Sequence, residues 1–210
     1  MTMEGEAFAD GLVRGYVHRP GGAFTDAVAL AHGAGSNARS PLLALVCRTF
    51  ARAGWLALRI DLPFRQQKPS GPPFPAMQAK DREGLRAAAG LARSMGAGRV
   101  VLGGHSYGGR QATMLASEDP QVAEALLLLS YPLHPPDKPA QLRTEHFPSL
   151  RTPALFVHGT KDPFGSIAEM EAALARIPAA HKLMEAAGAG HDMKKAPLDG
   201  IVAGIGELLR

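Results

Sequence analysis

The sequence predicts an α/β fold in which a mostly parallel β-sheet is covered by helices on both faces. Short apolar runs alternate with segments of helical periodicity along the whole chain, as expected for strands that are joined by helices. Runs such as Ala-Leu-Leu-Leu-Leu at 125–129 are apolar throughout, which is typical of strands buried on both faces. No internal repeat or low-complexity linker interrupts the pattern. We therefore expect residues 1–210 to form a single domain.

Seven segments are predicted strands. Leu12–His18 and Ala27–His32 are separated by a turn at Pro20-Gly21-Gly22, and we expect these two strands to pair. The remaining predicted strands are Trp55–Ile60, Arg99–Gly103, Glu124–Ser130, Ala154–His158 and Lys182–Ala186.

Five helices are predicted between and after these strands. Ser40 followed by Pro41 is typical of a helix start, and Gly54 ends that helix. The Pro/Gly-rich stretch 62–75 is predicted to be a loop, and the span 131–153 has room for one short helix at most. The other helices are predicted at 85–95, from near Gly108, at Ser166–Ile177 and at Pro197–Leu209.

The composition argues against several classes of partner. The net charge is +4, but the 23 basic residues are scattered and not interleaved with aromatic residues, so we expect no nucleic-acid partner. No apolar run approaches the ~20 residues that span a bilayer, and the acidic start lacks the features of a signal peptide. The single cysteine, Cys47, belongs to no Cys/His cluster with zinc spacing. We expect a cytoplasmic protein without metal or cofactor, and its oligomeric state stays open.

The run Gly104-His105-Ser106-Tyr107-Gly108 follows a predicted strand and precedes a predicted helix. Chance often produces the pattern G-x-S-x-G, but this context predicts a sharp strand-to-helix turn that exposes the serine hydroxyl. Glycines are needed there because side chains two residues away would collide with the neighbouring elements. Ser106 is therefore the predicted nucleophile.

A second glycine turn, His32-Gly33-Ala34-Gly35, follows an earlier strand. Such a turn aims backbone N–H groups at the site, and an oxyanion hole requires two of them. We assign these donors to the amides of Tyr107 and Ala34, although an ordinary strand-to-helix turn is the alternative. His32 precedes the turn and is predicted to be structural.

An acid and a base follow later strands in the order that a Ser-Asp-His triad requires. Asp162 follows the strand ending at His158, and His191 lies in the loop after the last strand. The predicted catalytic residues are Ser106, His191 and Asp162, with Asp137 as the alternative acid. His181 begins a strand and is poorly placed to act as the base.

The residues of the substrate pocket are predicted from loops that meet at the same edge of the sheet. The span 131–153 is too short for a large helical lid, which favours an open site and a small soluble substrate. Arg65, Lys138 and Lys161 are candidates for attracting an acid group of the substrate at the rim of the pocket. The alternative for each of them is a solvated surface side chain. The predicted apolar lining is Leu62, Phe64, Tyr131, Phe164 and Met193. The wider basic cluster is Arg65, Lys68, Lys138, Arg143, Lys161, Lys194 and Lys195.

With these motifs in hand, the chain resembles the α/β-hydrolase superfamily along nearly its whole length. More narrowly, it resembles the family of small domains that includes testis-expressed protein 30 and KAT8 regulatory NSL complex subunit 3, which is related to dienelactone hydrolases. In that family a lysine commonly precedes the serine and an aspartate often precedes the histidine, whereas this sequence has His105 and Gly190. The matching segments are 31–35, 103–110, 130–136, 142–146 and 162–165.

The resemblance implies two functions of different kinds. One is a serine hydrolase that acts on ester or thioester bonds without a cofactor; lactone specificity does not transfer, because dienelactone hydrolases carry cysteine where this chain has serine. The other is a catalytically silent interaction domain, because some relatives are scaffolds in larger complexes. Retention of all three triad residues favours the enzyme.

Overall fold

The computed structural model describes residues 5–194 and 196–210. Within these residues eight strands form one sheet in the order β1-β2-β4-β3-β5-β6-β7-β8. β1 and β2 are antiparallel to their neighbours, and all pairs from β4 across to β8 are parallel. The strands are β1 Glu6–Asp10, β2 Val13–His18, β3 Asp26–Ala31, β4 Leu56–Asp61, β5 Arg99–His105, β6 Ala125–Leu129, β7 Ala154–Gly159 and β8 His181–Ala186.

Helices cover both faces of the sheet. On one face α1 and α6 bury residues such as Phe50 and Ile205 against the strands, while α3, α4 and α5 bury Leu85, Leu115 and Met170 on the other. This arrangement confirms the predicted fold class. Among the described residues, no helix combines the length and the apolar character needed to cross a membrane. The helices are α1 Pro41–Arg52, α2 Pro63–Gln67, α3 Gln78–Ser94, α4 Tyr107–Glu118, α5 Ile167–Leu174 and α6 Ile201–Leu208.

The amino-terminal part of the sheet differs from the sequence prediction. The expected pairing of the first two predicted strands is wrong, because β4 lies between β2 and β3. β1 was not predicted, since it is short and mostly exposed and therefore lacks a buried apolar pattern. α2 lies inside the predicted loop and begins with Pro63, at the position where a helix tolerates proline best.

The parallel strands bring the candidate site residues to one edge of the sheet. β3, β5, β7 and β8 run in the same direction, so the loops that follow them leave from the same side. Ligands and catalytic groups of open α/β sheets gather at this carboxyl edge.

Candidate active site

Ser106 occupies a strained turn between β5 and α4. Its backbone has φ 51° and ψ −114°, a conformation that is unfavourable for a residue with a side chain. The surroundings hold it there: the Ser106 amide donates to the Leu129 carbonyl at 2.9 Å. A Cβ atom at Gly104 or Gly108 would lie 2.1 or 2.6 Å from the Ala31 carbonyl oxygen, so both positions require glycine. The turn therefore raises the Ser106 hydroxyl above the edge of the sheet.

Ser106, His191 and Asp162 form one chain of hydrogen bonds. His191 Nε2 lies 2.8 Å from Ser106 Oγ, and His191 Nδ1 lies 2.9 and 3.0 Å from the two carboxylate oxygens of Asp162. The Asp162 side chain is fully buried and also accepts the Phe164 amide at 2.9 Å. Because a carboxylate only accepts, Nδ1 carries the ring proton, and Nε2 is left to accept the serine hydroxyl.

The two alternative residues lie elsewhere. Asp137 is exposed in the segment after β6, outside this chain of bonds. His181 is the first residue of β8 and therefore lies at the opposite edge of the sheet from Ser106.

Three side chains position His191 and the turn that follows Asp162. His105 Nε2 donates to the His191 carbonyl at 2.7 Å, and burial lowers the pKa of His105. The Phe164 ring stacks on the His191 ring with centroids 4.1 Å apart. The buried His158 donates from Nε2 to the Gly165 carbonyl at 2.8 Å, which holds the turn that follows Asp162. His105 thus supports the loop that carries the predicted base.

The two predicted oxyanion donors face the same cleft. Ala34 and Tyr107 both line it, and within the described part of the chain neither backbone N–H donates to a backbone acceptor. The Tyr107 hydroxyl donates to Asp81 at 2.7 Å, and the other carboxylate oxygen of Asp81 accepts the Phe64 amide at 2.9 Å. Burial raises the pKa of the Asp81 carboxyl and also that of the Tyr107 hydroxyl. These bonds anchor the first turn of α4 behind the Tyr107 amide.

Arg65 and His32 hold the turn that contains Ala34. The Arg65 guanidinium donates to the carbonyls of Ala34 and Ser36 at 2.7 Å and to those of Lys68 and Gly71 at 2.9 Å. His32 donates from Nδ1 to the Gly33 carbonyl at 2.8 Å and accepts the Leu62 amide at Nε2 at 3.1 Å. Burial lowers the pKa of His32 to about 4, so its neutral form makes both bonds.

An open cleft of about 580 Å³ lies above Ser106 and His191. The segment between β6 and β7 adds only a single 3-10 turn at Phe147–Ser149, in agreement with the expected absence of a helical lid. The rim of the cleft is formed instead by prolines and by Phe74, whose side chain is 63% exposed. The remaining lining residues are Gly33, Ala34, Gly35, Ser36, Pro72, Pro73, Pro75, Gln78, His105, Tyr107, Arg110, Pro132, Arg143 and Phe164.

The apolar pocket residues predicted from the sequence lie in two environments. Phe164 lines the cleft. Leu62, Phe64, Tyr131 and Met193 are buried in the hydrophobic core and are absent from the cleft lining. Burial of these four apolar side chains in the core removes them from water and stabilises the fold. Their positions in loops near the site therefore do not make them part of the cleft.

The basic residues also differ from the expectation. Arg65 is buried and its donors are used by backbone carbonyls, while Lys138 and Lys161 are exposed and absent from the cleft lining. Lys68 and Lys194 do not line the cleft either, and Lys195 lies outside the described residues. Among the residues that the structure describes, the arginine and lysine side chains that do line the cleft are Arg143 and Arg110. Arg110 was missed, although it lies only four residues after Ser106, at the start of the helix that follows the nucleophile turn.

A family model described as an alpha/beta hydrolase domain matches residues 25–202. The chain belongs to this α/β-hydrolase family. Its fold is similar to that of TT1662 from Thermus thermophilus, with 21% identity, 98% of each chain covered and a TM-score of 0.73. A dienelactone hydrolase from Anabaena variabilis is 22% identical, covering 98% of this chain and 95% of that one, with a TM-score of 0.67. An α/β serine hydrolase homologue from Coxiella burnetii is 17% identical, covering 100% and 98%, with a TM-score of 0.72.

Proposed function

We propose that this α/β-hydrolase is a serine hydrolase that transfers the acyl group of a small ester or thioester to water. The observation that supports this proposal most strongly is the chain of hydrogen bonds from Ser106 Oγ through His191 to the buried Asp162. A hydroxyl bonded to an imidazole that is itself bonded to a carboxylate is the arrangement that activates serine.

In the proposed reaction, Ser106 Oγ attacks the carbonyl carbon while its proton moves to His191 Nε2. The bond from that carbon to the leaving oxygen or sulfur then breaks, and the leaving atom takes the proton from Nε2. A water molecule, deprotonated by the same nitrogen, attacks the acyl carbon and releases the acid, and Oγ regains a proton. Asp162 stabilises the imidazolium in both halves.

The amides of Ala34 and Tyr107 are the proposed donors to the negative oxygen that forms during each attack. Donors of this kind contribute most when they are fixed before the reaction. The bonds of Arg65 to the Ala34 carbonyl and of Tyr107 to Asp81 support such fixed positions. The narrower resemblance to testis-expressed protein 30 and its relatives, and the cytoplasmic location, stay predictions of the sequence.

The proposal is tested by labelling with a fluorophosphonate probe and by hydrolysis of neutral nitrophenyl esters. We expect the wild type to be labelled, and Ser106→Ala to lose the label and about 10⁴-fold or more in kcat. Ser36→Ala is the matched control, because Ser36 lines the same cleft and the proposed chemistry does not use its hydroxyl. Equal labelling of wild type and Ser106→Ala would contradict the proposed nucleophile. A folded wild type with neither labelling nor hydrolysis would favour the silent interaction domain.

A further inference from the structure

Two arginines stand on the wall of the cleft beside the proposed nucleophile. Arg110 lies in the first turns of α4, where its amide donates to the Ser106 carbonyl at 2.9 Å. Arg143 comes from the segment between β6 and β7, and both residues line the cleft together with Ser106 and His191. Neither belongs to the proposed acyl-transfer machinery.

Neither arginine forms an ion pair: no carboxylate oxygen of the described residues lies within 4 Å of either guanidinium group. Arg110 Nε is buried and has no hydrogen-bond acceptor in the described protein. Arg143 has one long bond, from Nη1 to the Pro132 carbonyl at 3.3 Å. Several other arginines of the described residues do pair with carboxylates. Arg82, Arg93 and Arg99 pair with Glu118, Glu124 and Asp26.

The two cations also lie near each other. Burial and, next, the charge of Arg110 lower the pKa of the Arg143 guanidinium. A buried donor without an acceptor and two neighbouring like charges are both unfavourable. An anionic group in the cleft would offset both penalties, and the forked donors of arginine match the two oxygens of a carboxylate.

We propose that the substrate carries a free carboxylate, which Arg110 and Arg143 bind while the scissile carbonyl lies at Ser106. The substrate class is a monoester or monothioester of a small dicarboxylic acid, and this inference rests on the proposed hydrolase function. The bound carboxylate takes no part in bond making or breaking. It orients the substrate and selects it against neutral esters of the same length.

The experiment compares kcat/KM for matched pairs of nitrophenyl esters: hydrogen succinate with butyrate, hydrogen glutarate with valerate and hydrogen adipate with hexanoate. We expect the wild type to prefer the acidic member of at least one pair. In Arg110→Gln and Arg143→Gln, the ratio of acidic to neutral kcat/KM for that pair should fall about ten- to a hundredfold, as expected when a hydrogen bond to a charged group is lost. Arg110→Lys should restore part of the ratio, since it keeps the charge without the fork.

Lys138→Gln is the matched control, because it removes the same charge from an exposed residue outside the cleft lining and should leave the ratio unchanged. No acidic preference in any wild-type pair, or a ratio within about twofold of wild type in both arginine variants, would overturn the inference.

A binding measurement separates this inference from the proposed function. Calorimetric titration of Ser106→Ala with each acidic and neutral ester requires no turnover. Tighter binding of the acidic ester, lost in the double variant Ser106→Ala/Arg110→Gln, would support the carboxylate site even if fluorophosphonate labelling failed. Equal binding of both esters would overturn the site even if the nucleophile were correct.

Discussion

The carboxylate of Asp162 connects the turn after β7 to the loop after β8. It is fully buried and accepts bonds from His191 Nδ1 and from the Phe164 amide. A buried carboxylate is tolerated only when such donors satisfy it. The bonds hold the imidazole in the tautomer whose Nε2 faces Ser106, and so a change at this one residue should affect the reaction more than the fold.

Asp162→Asn is expected to reduce kcat by roughly a thousand- to ten-thousandfold, because asparagine keeps the shape but neither stabilises the imidazolium nor fixes the tautomer. Initial rates with a neutral nitrophenyl ester measure the effect. Asp137→Asn is the matched control, since Asp137 is an exposed aspartate that was the alternative acid. Near-normal turnover of Asp162→Asn together with an inactive Asp137→Asn would reverse the assignment of the acid.

At this scale the sequence predicts residues whose chemistry depends on a local motif. Ser106, Asp162 and His191 each follow their own strand, and the short segments around them predict three side chains that the structure joins by hydrogen bonds. The pocket could not be predicted in the same way, because the direction of a loop side chain depends on contacts from distant parts of the chain. Leu62 and Tyr131 therefore pack into the core, and Arg110 lines the cleft without having been predicted.

The short helix α2 connects the two turns on the side of the cleft that holds the proposed oxyanion donor Ala34. Arg65, its central residue, donates to two carbonyls of the turn after β3 and to two carbonyls of the segment after α2. One planar guanidinium satisfies four acceptors because its N–H groups diverge in fixed directions. α2 was predicted as loop because five residues among prolines give no helical periodicity. Its place in the structure depends on these long-range bonds.

Arg65→Lys is expected to lower kcat about ten- to a hundredfold with a smaller change in KM, because a lysine cannot satisfy all four carbonyls and the Ala34 amide loses its fixed position. The free energy of unfolding should also fall by roughly 1–3 kcal/mol, since partly buried carbonyls lose their donors. Steady-state kinetics and urea unfolding measure the two effects separately.

Arg39→Lys is the matched control for Arg65→Lys. Arg39 is exposed and its Nε donates to the Tyr16 hydroxyl, so the same substitution there changes no contact of the Ala34 turn. If Arg65→Lys lost stability but kept the kcat of Arg39→Lys, Arg65 would be structural and would not position the oxyanion donor.

For the whole molecule, the sequence predicts the layers but not the order of all strands. Apolar runs and helical periodicity reflect burial, which is a property of each segment, and they identify the parallel sheet with helices on both faces. The order of strands depends on which segments meet across the fold. β4 lies between β2 and β3, but nothing in the sequence of the turn at 20–22 indicates this. The turn by itself suggested that β2 and β3 form a hairpin.

Buried neutral histidines give the whole molecule a pH-dependent stability. Burial lowers the pKa of His18, His32 and His146 to about 4 from an ordinary value of 6.5. The unfolded chain therefore binds more protons than the folded one between these values, and stability falls as the pH decreases. The stability that depends on these histidines being neutral is fully present above pH 6.5 and is lost as the pH falls to about 4.

His32→Asn tests this linkage at one residue, because His32 is fully buried between β3 and α2. The variant should be less stable than wild type at pH 7. Its further loss of unfolding free energy between pH 7 and pH 5 should be about 2 kcal/mol smaller, because asparagine takes up no proton. Urea unfolding at both pH values, with the midpoint and the slope fitted separately, measures the difference.

Ile205→Val is the control for His32→Asn, since it weakens the core without removing a titratable group and should keep the wild-type pH dependence. An identical pH dependence in His32→Asn and Ile205→Val would mean that His32 is not held neutral in the fold.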